Sequence, residues 1–299
     1  MNITISGASG LVGRRLMAVL RSAGHQVHIL SRRNAVSAPE GARVSQWDPA
    51  AGPPPCAAFE GADVVVHLAG EPVAQRWTPE VKQRIRDSRV QSTRHLLEGL
   101  ASRGRRPEAF VCASAIGYYG SRGDEVLTES SPPGAGFLPE VCVEWERAAG
   151  QAATIGMRLA IVRIGVVLDP AGGALGRMLP PFRAGVGGPI GSGRQWMSWI
   201  HAEDLAGLFR FVIENSLEGV FNGVAPFPLT NRDFTRELAR ALRRPAILPV
   251  PAFALKILFG EMAQILLESQ RVSPRAAEAA GFRCRHPQLA GALADLLRQ

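Results

Sequence analysis

Apolar positions recur along the chain in two alternating rhythms. Residues 2–6 form a short apolar, β-rich run, and 11–23 place Leu11, Val12, Leu16, Val19 and Leu20 on one face of a helix closed by Gly24. A second strand is expected over 26–31. The nearly unbroken apolar run at 63–68 is what a parallel strand buried on both faces requires. Helical spacing over 79–102, a buried strand over 109–114 and a Gly/Ser/Pro-rich loop over 117–136 come next, then a helix through about 156 and a strand over 159–168. This alternation predicts an α/β Rossmann fold, a right-handed doubly wound parallel sheet. After Asp169 the texture changes: 171–195 are rich in Gly and Pro, and short mixed elements lead to a helical C-terminus. We expect residues 1–169 to form the dinucleotide-binding domain. Residues 170–299 would form a smaller substrate-side region partly woven into the main sheet, with 201–215 as a helix returning to it.

Composition narrows the classes. The 299 residues are 46% hydrophobic and 20% charged, ordinary for a globular protein with a sizeable core. No run approaches the roughly 18 to 20 apolar residues of a bilayer span, and Met1-Asn2-Ile3-Thr4-Ile5 lacks the features of a secretory leader. A cytoplasmic protein without a membrane partner is expected. Cys56, Cys112, Cys142 and Cys284 are scattered without a Cys-x-x-Cys pair, which fits reduced thiols and no metal site. The net charge of +8 is almost all arginine, since Lys82 and Lys256 are the only lysines. The arginine clusters fall near expected helix ends, so an acidic ligand explains the charge without nucleic acid.

The first candidate site is Gly7-Ala8-Ser9-Gly10-Leu11-Val12-Gly13, between a strand and a helix. Gly7 allows a tight turn, Gly10 a close approach of a pyrophosphate, and Gly13 the packing of helix on strand. The orphan amides that open the helix would then face phosphates. The second strand ends in Ser31-Arg32-Arg33, where an NAD enzyme usually carries an acidic residue. A guanidinium there attracts a 2′-phosphate, which points to NADP(H).

These residues, with His67-Leu68-Ala69-Gly70-Glu71, resemble the extended short-chain dehydrogenase/reductase superfamily. Ser88-Arg89, Ser114-Ala115-Ile116-Gly117-Tyr118-Tyr119-Gly120 and Phe137-Leu138-Pro139-Glu140-Val141-Cys142 with Trp145-Glu146 narrow the likeness to its atypical NAD-dependent epimerase/dehydratase-like branch. Arg163-Ile164-Gly165-Val166-Val167-Leu168, Gly188-Pro189-Ile190-Gly191-Ser192-Gly193, Trp199-Ile200-His201-Ala202-Glu203-Asp204-Leu205 and Asn222-Gly223-Val224-Ala225-Pro226 extend it over nearly the whole chain. The resemblance implies that Ser31 and Arg32 bind the adenosine phosphate, that Leu68, Ala69 and Gly70 line the middle of the cofactor, and that Val167 lies near its nicotinamide. Arg89 would lie beside the cofactor, or else form an ion pair on a helix surface. Trp199 and His201 would frame the substrate mouth, and Asp204 would cap or orient the helix that follows. Relatives that pair through the helices near 79–102 and 137–155 suggest a homodimer, to which Leu96, Leu97 and Leu100 would contribute unless they face their own sheet.

The chain departs from an ordinary reductase at its proton relay. Members of the superfamily use Ser, Tyr and Lys, the last two four positions apart on a helix. Here that pair corresponds to Leu138 and Cys142. Ser114 matches the usual serine and could polarise a carbonyl. Tyr118 offers a phenol on the following loop, with Arg122 four residues on as a cation. Cys142 is either a packing residue or a thiol for acid/base or nucleophilic work. Three functions stay open: an NADP(H)-dependent oxidoreductase or epimerase acting on a small molecule such as a nucleotide-sugar, a non-catalytic NADP(H) sensor, or a protein-interaction role. Some relatives carry a cell-division label suggesting the third, for which these residues offer no physical basis.

Overall fold

A computed structural model describes residues 1–32 and 42–298. In chain order, the first half runs β1 (Asn2–Ser6), α1 (Leu11–Ser22), β2 (Gln26–Ser31), β3 (Arg43–Gln46), β4 (Val64–His67), α2 (Pro79–Ala101), β5 (Ala109–Ala115), β6 (Val126–Leu127), α3 (Phe137–Thr154) and β7 (Arg158–Ile164). The second runs β8 (Val166–Asp169), α4 (Gly173–Arg183), β9 (Trp196–Met197), β10 (Trp199–His201), α5 (Ala202–Glu214), β11 (Gly219–Gly223), β12 (Leu229–Thr230), α6 (Asn231–Leu242), α7 (Ala252–Phe259), α8 (Ala263–Leu267), β13 (Arg271–Val272), α9 (Arg275–Ala279) and α10 (Leu289–Leu296).

Seven strands form one parallel sheet in the order β11-β7-β5-β4-β1-β2-β3. The chain leaves β1 in one direction and β4 in the other, so right-handed crossovers send α1 and α2 to opposite faces. On those faces α1 packs with α5, and α2 with α3. The doubly wound sheet read from alternation is therefore present. Its strands β4 and β5 are buried along almost their whole length, as their unbroken apolar runs require. Leu96, Leu97 and Leu100 are buried in the main core, so they face their own sheet and offer nothing to a second copy. Among the described residues, no helix is long and apolar enough to cross a membrane.

Several elements differ from the sequence expectation for identifiable reasons. The run at 159–168 is two strands, broken at Gly165, where a β-carbon would lie 2.6 Å from the Ser198 carbonyl oxygen. The bare backbone there lets β10 pair alongside β8. A helix, α4, occupies part of the Gly- and Pro-rich stretch because Leu175, Leu179 and Phe182 recur at helical spacing and are all buried. β11 returns the chain to the edge of the main sheet beside β7. A second core, including Leu168, Phe182, Trp199, Phe234 and Leu293, joins β8, α4, β10, α6 and α10.

Glycine placement gives a direct test. A β-carbon on Gly13 would fall 2.4 Å from the Gly7 carbonyl oxygen, whereas one on Gly150 of α3 meets nothing within 4 Å. Gly13→Ala is expected to lose about 1–3 kcal/mol in urea unfolding, and Gly150→Ala to gain up to about 1 kcal/mol.

Candidate functional site

The turn after β1 is built to approach something closely. Gly7 sits at φ +75°, and a β-carbon there would lie 2.6 Å from the Leu68 carbonyl carbon. Gly13 lies just as tightly against Gly7 and Ala8. Gly10 is less tight: a β-carbon there would lie 3.3 Å from the Gly7 carbonyl oxygen, closer than an ordinary contact. Gly10 also begins α1 as an extended N-cap without a side-chain hydrogen bond, and the first turn holds no acidic residue. Its amides are free to meet an anion. Ser9 is exposed and its carbonyl accepts from Arg14 at 2.9 Å. Val12 and Leu68 turn their side chains into the core, leaving backbone to face the turn. Leu11 lies over Gly173, near the Val167 carbonyl.

The register Ser6↔Leu30 runs Ser31 and Arg32 alongside Gly7. Arg32 is exposed, and no ion pair among the described residues holds its guanidinium. Arg33 lies outside the described residues. On the other side of β1, Gly70 rests against the Arg89 guanidinium, where a β-carbon would sit 3.1 Å from Cζ. Arg89 donates to the Glu71 and Ile85 carbonyls, both at 3.0 Å, and lies over the Trp145 ring. Among the described residues it forms no ion pair. The glycine turn, residues 68–70 and Arg89 thus make one continuous wall at the carboxyl edge of the sheet, where doubly wound folds bind ligands.

Beneath this wall His67 is fully buried between two hydroxyls, with Nδ1 2.5 Å from Ser6 Oγ and Nε2 3.1 Å from Ser92 Oγ. Burial, helped by the Arg89 cation, pushes its pKa down to about 3. His67 is therefore a neutral strut.

The chemistry-bearing groups after β5 join a buried network. Ser114 Oγ donates to Glu146 Oε1 at 2.6 Å. Arg163 clamps the same carboxylate with two bonds of 2.8 and 2.7 Å. Arg163 also donates to the Tyr119 hydroxyl at 3.0 Å, and that hydroxyl donates to Asn222 Oδ1 at 2.7 Å. Burial opposes the Arg163 charge, but Glu146 outweighs it and holds the guanidinium above its ordinary pKa. Burial likewise raises Tyr119, which keeps its proton.

This network corrects several expectations. Ser114 is buried and its single proton is committed to Glu146, so it does not polarise a carbonyl. Arg122 pairs with Glu125 at 2.9 Å; the cation at Tyr118 is Arg163, whose Cζ lies 3.4 Å from the ring centroid. Tyr118 is half-buried, and no described hydrogen bond involves its hydroxyl. Cys142 is buried with its sulfur 3.8 Å from the Ala115 carbonyl oxygen, and burial, then the Glu146 charge, push the thiol up to about 12. It is a protonated packing group at neutral pH, not a nucleophile.

Trp199 is wholly buried and donates to the Phe227 carbonyl, so it frames no mouth. His201 is buried too: its Nδ1 caps α5 by accepting from the Glu203 amide at 3.1 Å, and its ring stacks on His286. Asp204 does not cap its own helix; its carboxylate takes the amides of Arg285 and His286 at 2.7 and 2.9 Å. Sequence reasoning gave no role to Glu146, Arg163 or Asn222. One signal was available: Glu146 follows Cys142 by four positions, which puts an acidic residue on the sheet-facing side of α3.

The NAD dependent epimerase/dehydratase family matches residues 3–223, and a domain of unknown function (DUF1731) matches 250–296. An Arabidopsis thaliana chloroplastic homologue of the epimerase family protein SDR39U1 is 39% identical over 100% of this chain and 87% of its own. The human epimerase family protein SDR39U1, crystallised with NADPH, is 36% identical with a TM-score of 0.88, covering 99% of both chains. The nucleoside-diphosphate sugar epimerase of Corynebacterium glutamicum is 36% identical with a TM-score of 0.80, covering 99% of this chain and 58% of that one.

The His67 strut sets a pH dependence. Unfolded His67 takes up a proton near the ordinary value of 6.5, whereas the folded residue refuses it until about 3. Its contribution is therefore complete above that ordinary value and is lost as pH falls, by up to about 1.4 kcal/mol per unit. Chemical unfolding at about pH 7 and about pH 5 should differ by about 2 kcal/mol less in His67→Gln than in the native chain.

Proposed function

The chain belongs to the NAD dependent epimerase/dehydratase family, and from that premise we propose that it binds NADP(H) and acts as an oxidoreductase of the epimerase/dehydratase type on a small molecule, most simply a nucleotide-sugar. One observation carries the cofactor choice. Arg32 stands exposed at the end of β2, beside the glycine turn, where NAD enzymes place a carboxylate. The NADPH in the human relative and the substrate class named for the C. glutamicum relative support the same reading. The amides at the start of α1, with no side-chain cap and no acidic residue in the first turn, fit the pyrophosphate.

When bound, the nicotinamide gives or takes hydride at the substrate carbon. The protein must then hold or move one proton at the substrate oxygen. Tyr118 is the group we assign to that proton, because its phenol is unclaimed while Ser114, Tyr119 and Cys142 hold theirs in hydrogen bonds or burial. Arg163 holds the Tyr118 ring with its cation 3.4 Å from the ring centroid.

A second reading has its own support. The glycine turn, residues 68–70 and Arg89 stand together at the sheet edge, yet Leu138 and Cys142 occupy the positions of the usual Tyr–Lys relay, as in a protein that senses NADP(H) without turnover.

Arg32→Ala should weaken NADPH by about 10- to 150-fold in calorimetric titration and leave NADH nearly unchanged. Equal losses for both cofactors would remove the phosphate clamp. With a substrate found by screening carbonyl metabolites and nucleotide-sugars, Tyr118→Phe should cut turnover by at least about 100-fold at unchanged NADPH affinity. A screen without any NADPH oxidation would favour the sensor.

A further inference from the structure

Outside the cofactor wall, the largest unexplained feature is α7. Its sequence, Ala-Phe-Ala-Leu-Lys-Ile-Leu-Phe, carries one polar side chain in eight positions. A surface helix ordinarily keeps a polar outer face, and one that is apolar all round is normally buried or meets lipid. Here only Leu255 is buried, while Phe259 packs partly against the Trp77, Val81, Ile85 and Met262 cluster. Phe253, Ile257 and Leu258 are 68%, 71% and 64% exposed. The segment leading into the helix adds Ile247 at 79% and Leu248 at 53%.

This apolar face has a basic surround. Residues 238–260 contain Arg240, Arg243, Arg244 and Lys256 and no acidic residue. Arg240 is paired with Glu237, whereas no described ion pair holds Arg243, Arg244 or Lys256. The platform is firmly mounted. Pro189 and Gly191 bond to Val250 on one side, and Lys82 pairs with Glu261 on the other.

We propose that the exposed face of α7, with residues 243–248, docks on an anionic phospholipid bilayer, lying in its interface without crossing it. Apolar side chains would enter the headgroup boundary while Lys256 reaches back to the phosphates. Each cation near such a surface favours binding by about fivefold. Pairing with a second copy is the poorer fit, because it would bring these cations against their equivalents. This revises the expectation of no membrane partner, which followed only from the lack of a spanning segment.

The test is co-sedimentation of the full chain with vesicles of phosphatidylcholine alone and of equal parts phosphatidylcholine and phosphatidylglycerol. Binding is expected only to the anionic vesicles, falling as salt rises from about 0.1 M to about 1 M and the screening length shortens from about 10 Å to about 3 Å. Phe253→Glu with Ile257→Glu should lower the bound fraction at least about tenfold, and Arg243→Glu with Arg244→Glu by a similar factor. Both variants change exposed residues, and unchanged melting temperatures with unchanged NADPH titration confirm that they fold. No sedimentation with anionic vesicles at low salt overturns the proposal. Binding that ignores the Phe253/Ile257 change also overturns it, leaving only adsorption of a basic chain. A dimer in light scattering that the same change dissolves, without vesicle binding, assigns the face to a second copy.

Discussion

Glu146 ties three elements far apart in the chain to one buried carboxylate. Its carboxylate sits on α3, accepts from Ser114 at the end of β5 and pairs bidentately with Arg163 of β7. Arg163 continues the chain of bonds to the Glu129 carbonyl and the Tyr119 hydroxyl, and Tyr119 to Asn222 of β11. The Asn222 amide then reaches the Ser273 carbonyl just beyond β13. A buried ion pair by itself is costly to desolvate, and removing one partner leaves an uncompensated charge. What makes this pair tenable is that nearly every remaining donor and lone pair is also bonded. The same satisfaction makes the arrangement specific, since a shift of any one strand would orphan several polar groups at once.

The network limits the chemistry as much as it supports the fold. In an ordinary reductase, the serine after β5 and the tyrosine on the next helix face the substrate with protons to share. Here Ser114 gives its proton inward, and helix position 142 holds a thiol that burial keeps protonated. Structural demand has drawn in the groups that catalysis would use. Tyr118, one residue before the buried Tyr119, lies against the same Arg163 guanidinium but is only half-buried. Of the two adjacent tyrosines, Tyr119 is buried in the network and Tyr118 is half-buried beside it.

A second organising feature is the return of the C-terminal half to the sheet. Asp204 on α5 holds the backbone of residues 285 and 286, β11 extends the main sheet, and β13 pairs with β6 in the loop after Tyr119. These ties join segments far apart in sequence to the main sheet and to the loop after Tyr119.

Features that depend only on local spacing were legible in the chain. The glycine turn, the helix it opens, the buried strands β4 and β5 and the basic end of β2 were legible because each depends on residue spacing within one or two turns of chain. The short strands β3 and β11 were not, since their few, half-polar residues acquire strand character only by pairing with a neighbour. The roles of Ser114, Cys142, Trp199, His201 and Asp204 were decided by tertiary structure alone. Each depends on a partner brought near by crossovers: Glu146 for Ser114, the Phe227 carbonyl for Trp199, the amides of 285 and 286 for Asp204. Periodicity identifies the face of an element on which a side chain lies. Whether that side chain meets solvent, a cofactor or a buried counter-charge is fixed by distances through space, and those exist only once the sheet is assembled.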